Sequence, residues 1–123
     1  MPNDIKMNIQ RWDYEFGNYQ IIVENAWNMN SFTQERITVN GVPTHDEISA
    51  FIPLLYWKTM FEDTVLTKDG ELDLKVQWRS GLMTIKARLL IDKEVQPWTN
   101  YIALKWAGPK GEWPDQDYYD EHS

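Results

Sequence analysis

The chain contains no cysteine, which excludes a disulfide scaffold, a zinc–thiolate site and a thiol nucleophile. Histidine is nearly as scarce: His45 and His122 are the only two, and no His-Glu-x-x-His spacing exists. Long apolar runs are missing too. None is longer than four residues, the length of Leu54-Leu55-Tyr56-Trp57, far short of the ~20 residues that span a bilayer as a helix. The opening Met1-Pro2-Asn3-Asp4-Ile5-Lys6 lacks the apolar region of a secretory signal, so the expected location is cytoplasmic, away from membranes. There is also no GxSxG elbow, no P-loop and no GxGxxG run. Glycoside hydrolysis needs two carboxylates facing each other at a set separation, and no pair among the 19 acids stands out. The expectation is a non-enzymatic protein with no cofactor and no metal.

Aromatic residues, by contrast, are abundant. There are seven Trp, six Tyr and four Phe, and Leu, Ile, Val and these Phe together number 29 of 123 residues, enough apolar material for a folded core rather than a disordered chain. The length suits one domain. Twelve Lys and Arg face 19 Asp and Glu, a net charge of −7, and this charge is unevenly placed. Residues 112–123 hold Glu112, Asp115, Asp117, Asp120 and Glu121 without a single Lys or Arg. The chain therefore divides into a nearly neutral body, 1–111, and an acidic tail, 112–123, that also carries Trp113, Tyr118 and Tyr119. Such a tail is either a solvated terminus or a strap that docks on its own body or on a partner.

The clearest strand is Leu72-Asp73-Leu74-Lys75-Val76-Gln77-Trp78, where apolar and polar residues alternate strictly. Arg79-Ser80-Gly81 links it to a second alternating run, Met83, Ile85, Ala87, Leu89 and Ile91, which together read as a hairpin. Its polar face carries Lys75, Arg79, Lys86 and Arg88. An earlier segment repeats the plan: Arg36 and Arg88, Val39 and Ile91, and Asn40 and Asp92 each lie 52 residues apart. Two pseudo-repeats, about 19–57 and 72–107, follow from these spacings. Asp13–Phe16 reads as an opening edge strand, and 56–66 as another strand before the turn Lys68-Asp69-Gly70. Thr44 and Glu47 match a capping box ahead of Ile48, Phe51, Ile52 and Leu55, so a helix is expected until Pro53 stops it. A second helix is expected from Pro97, with Trp98, Tyr101, Ile102 and Trp106 as its stripe and Gly108-Pro109 as its end. The fold class is mainly β, an antiparallel β-sandwich-like domain with one or two short helices. The alternative is an α+β fold of two hairpin–helix units.

His45-Asp46-Glu47 could be read as metal ligands, but in a helix's first turn they point in different directions, so capping is the expectation. Lys75, Arg79, Lys86 and Arg88 form either a solvated sheet face or a docking site for an anionic partner, and the acidic tail is one candidate occupant. The charge balance argues against nucleic acid. The leading functional expectation is a protein-binding module of the inhibitor, immunity or accessory kind, with Lys75, Arg79, Lys86, Arg88, Trp113, Tyr118 and Tyr119 as binding residues. The alternative is a ligand-binding sandwich that uses exposed Trp rings for a carbohydrate or small apolar molecule.

Overall fold

The computed structural model describes residues 4–17, 19–28, 32–50, 55–67, 70–81, 84–109 and 111–122. Phe51, Ile52, Leu54, Lys68, Asp69 and Met83 lie outside the described residues. The fold is mainly β, as expected, with nine strands and one short helix among the described residues. The strands are β1 (Asp4–Phe16), β2 (Tyr19–Trp27), β3 (Phe32–Val39), β4 (Val42–Ala50), β5 (Lys58–Thr67), β6 (Gly70–Ser80), β7 (Ile85–Ile91), β8 (Glu94–Gln96) and β9 (Asn100–Pro109). The helix, α1, spans Gln116–His122. The strands form two antiparallel sheets, ordered β4-β3-β2-β1-β9 and β5-β6-β7-β8. They belong to two compact units: Met1–Phe51 with Asn100–Ser123, and Ile52–Thr99.

In the second unit, Leu74, Val76, Trp78, Ile85 and Leu89 are buried, as the alternation predicts. In the first, Met7, Ile9, Ala26, Phe32 and Tyr119 make the core on one sheet face, with Ile102, Leu104, Trp106 and Trp113 packed against it. Residues 13–16, expected as an edge strand, are the end of the longer strand β1: Asp13 pairs with both β2 and β9, whereas Tyr14, Glu15 and Phe16 pair with β2 alone. Trp12 and Tyr14 are buried, and the terminal Phe16 on the same face is exposed.

Both expected helices are strands. The first is overruled by the turn before it. Asn40 and Gly41 both have positive φ, 50° and 81°, the signature of a two-residue type I′ hairpin turn. That turn folds the chain back on β3, so residues 42–50 become its partner strand. Pro43 fits because β4 is an edge strand and the ladder shifts beside it, between Ile37 and Thr38. Thr44, expected as a helix cap, donates its hydroxyl to the Ile37 carbonyl at 3.2 Å. The second is overruled by long-range pairing: β9 aligns with β1 over ten positions and turns Ile102, Leu104 and Trp106 toward the core. The Trp106 ring fills the space a side chain on Gly108 would need. Trp98 lies before β9, where its indole N–H donates to the Ala87 carbonyl at 3.0 Å.

The β7–β8 turn matches the β3–β4 turn in detail. Asp92 and Lys93 have φ of 49° and 72°, again the I′ pattern. Asn40 Oδ1 accepts from the Gln20 amide and its own amide donates to the Gln20 carbonyl. Asp92 makes the same two bonds with Asp73. Lys93, where the first turn has glycine, holds a left-handed conformation that costs an L-residue about 1–2 kcal/mol. Lys93→Gly should therefore raise stability by about 0.5–1 kcal/mol, after the added freedom of the unfolded chain is subtracted. A urea midpoint that stays put or falls would contradict this.

Candidate functional site

The polar face of the second unit's sheet is built by register. Arg79 stands opposite Lys86, and Gln77 opposite Arg88, across β6 and β7. Trp57 lies just before β5, and its half-buried indole receives both guanidiniums. Arg88 Cζ is 4.3 Å from the ring centroid and Arg79 Cζ is 5.0 Å away. The negative face of the indole offsets the repulsion between two cations held this close. Arg88 is further oriented by donating Nε–H to Gln77 Oε1 at 2.7 Å, while Gln77 donates to the Thr59 hydroxyl at 3.1 Å. Two rigid guanidinium forks and the ammonium of Lys86 thus share one face. Among the described residues, no ion pair involves Arg79, Lys86 or Arg88. The Arg79 Nε is shielded from water and has no hydrogen-bond acceptor.

Lys75 is placed differently from the other three. It pairs with Glu62 at 3.6 Å, and since both are exposed the pair contributes at most about 1 kcal/mol. Its charge is nevertheless matched locally, so three of the four cations expected here are available to an anion. A planar guanidinium recognises carboxylate or phosphate in bidentate fashion.

The tail's aromatics are all used within the first unit. The Tyr119 hydroxyl donates to Glu24 Oε2 at 2.6 Å, and both residues are 1 % exposed. Arg36 donates to the other oxygen of Glu24, through Nε at 2.8 Å and Nη2 at 2.7 Å. The Trp113 ring lies 5.1 Å from the Arg36 guanidinium, and Arg11 lies 4.7 Å from the Tyr119 ring. Burial works against the charge of Arg11. The hydrogen bond to Asp13 and the charges of Asp13 and Glu24 outweigh it, and its pKa is raised. Gln34 holds the segment before α1 as a sheet partner would, donating to the Glu112 carbonyl at 2.7 Å and accepting from the Gly111 amide at 2.9 Å. Tyr118 donates its hydroxyl to the Lys105 carbonyl at 2.7 Å.

The tail is therefore a strap on its own unit, where the cations it meets are Arg11 and Arg36. Period-two alternation had no reason to pick these two arginines, because both sit on strands that are buried on both faces. Of the seven Trp, Trp12, Trp27 and Trp78 are buried and the other four are half-buried. No protein-family model, no curated protein and no solved structure matches this chain.

Proposed function

We propose that this protein is a non-enzymatic binding module that takes a carboxylate-rich segment of a partner protein on its β6–β7 face. One observation carries the reading: Arg79 and Arg88 are held against Trp57 beside Lys86, with no ion pair to any of the three among the described residues. Positioning two arginines on an indole and through Gln77 lowers the ordering cost of docking. A solvated sheet face needs no such arrangement. The carbohydrate-binding alternative needs exposed Trp rings, and all seven Trp are buried or half-buried.

Fluorescence anisotropy with a labelled Glu/Asp-rich peptide tests the proposal. Binding should weaken as salt rises and should be lost in the double variant Arg79→Glu/Arg88→Glu. One charge-assisted contact contributes about 1.5–3 kcal/mol, so Arg88→Ala alone should cost roughly ten- to hundredfold in affinity. Lys75→Ala, already paired with Glu62, should change little. Failure of the wild-type protein to bind the peptide at low salt would overturn the proposal. So would undiminished binding by the double variant, or tighter binding of a single-stranded oligonucleotide than of the peptide.

A further inference from the structure

Strand β4, standing where a helix was expected, creates a second cluster within the first unit. On a helix His45 and Glu47 diverge; on a strand residues two apart share a face. Glu47 stands directly opposite Glu35 on β3, and His45 opposite Ile37, one step along the same row. His45 Nε2 lies 3.6 Å from Glu35 Oε2 and 4.0 Å from Glu47 Oε2. One donor atom from each of the three residues falls within 4.8 Å of the other two. Asp46 points to the opposite face, where it accepts from the Trp113 indole at 3.5 Å.

We propose that Glu35, His45 and Glu47 bind a divalent transition-metal ion of the Zn²⁺ class. Ligands at about 2.0–2.2 Å in a tetrahedral shell stand roughly 3.4 Å apart, so the observed spacings need only small side-chain adjustments. Two carboxylates and a neutral imidazole carry a charge of about −2, which matches the ion. The surroundings point the same way. The Glu35 side chain is 8 % exposed, and two carboxylates opposite each other on neighbouring strands repel. A cation between them removes that repulsion. His45 Nε2 is shielded and makes no hydrogen bond, although its side chain is 13 % exposed. Asn25, the residue opposite Glu35 on β2, has a shielded side-chain oxygen without a hydrogen-bond donor. That oxygen could accept from a metal-bound water. Glu47, at 66 % exposure, gives the ion a route in. Three protein ligands leave the fourth position to water, as in sites where the metal remains accessible.

The test uses the full chain, dialysed against chelator and titrated with ZnCl₂ in competition with a chromophoric chelator. One Zn²⁺ should bind per chain. Loss of an outer-shell partner typically costs about 10- to 100-fold in metal affinity, so His45→Ala and Glu35→Gln should cost at least that. Because Glu35 is buried, Glu47→Gln provides a control at an exposed position: it should keep the native circular dichroism spectrum and still weaken binding. His122→Ala should leave binding unchanged. No stoichiometric uptake by the wild-type protein would overturn the assignment. Unchanged affinity in folded Glu47→Gln and His45→Ala, or an equal loss in His122→Ala, would do the same.

Discussion

Deleting residues 112–123 should lower the melting temperature by on the order of 10–20 °C, and high salt should not restore it. Removing a buried aromatic alone costs about 3–5 kcal/mol, and in a domain of this size each kcal/mol moves the midpoint by roughly 3–6 °C. Tyr119 is such an aromatic, at 1 % exposure. Its departure uncovers Met7, Ile9, Ala26 and Phe32, and the deletion also removes the Gln34–Glu112 and Arg11–Gln116 hydrogen bonds. Against a total stability of about 5–15 kcal/mol, this loss is severe. Docking through exposed ion pairs would behave differently, because such pairs weaken with salt. Thermal melts of the truncated chain at low and high ionic strength separate the two. A melting point unchanged at either would refute the strap.

The second large effect is on the alkaline side. Burial is the main cause that raises the Tyr119 pKa above its ordinary value, followed by the negative charge of Glu24 and the hydrogen bond to it. Arg11 and Arg36 oppose the shift without cancelling it. A raised pKa means that the folded state keeps the phenolic proton while the unfolded chain loses it above pH ~10. Stability from this group is therefore intact below that pH and falls above it, by about 1.4 kcal/mol per unit. Tyr119→Phe removes the ionisable group, so its stability should lack that part of the slope. The variant should also start lower, by about 1.5–3 kcal/mol, the contribution of a hydrogen bond to a charged acceptor. Urea titrations of both proteins from neutral pH to about 11 would reveal the difference, and parallel pH curves would rule out the buried Tyr119–Glu24 bond.

Strands β6 and β7 were legible because seven alternating residues leave only one face for Leu74, Val76 and Trp78. The same alternation put Lys75, Arg79, Lys86 and Arg88 together on the other face. Trp57 escaped this logic because it precedes β5, and the β5–β6 ladder shifts between Thr59 and Phe61. A break in register hides which face a residue joins. At β4 two local signals competed, the Thr44/Glu47 capping box and the Asn40-Gly41 dipeptide, and the dipeptide prevailed. Two consecutive residues with positive φ commit the chain to reversal before a helix can start. For β9 no local signal could decide. Its partner is β1, with Asp4 opposite Pro109, and pairing at such separation leaves no trace in spacing. The Tyr119–Glu24–Arg36 network was hidden for the same reason.

The division of the chain also has a consequence for the order of assembly. The segment 52–99 is continuous, and its sheet pairs only neighbours in sequence. The other unit is interrupted by it and needs β9 beside β1 and Tyr119 over the core. During synthesis, the inserted segment has all its partners before the surrounding unit does. Until residues 100–119 emerge, β1 lacks one neighbour and Met7, Ile9 and Phe32 lack their cover. In that interval the nascent chain exposes an unpaired strand edge and an open apolar face, the kind of surface on which chaperones act.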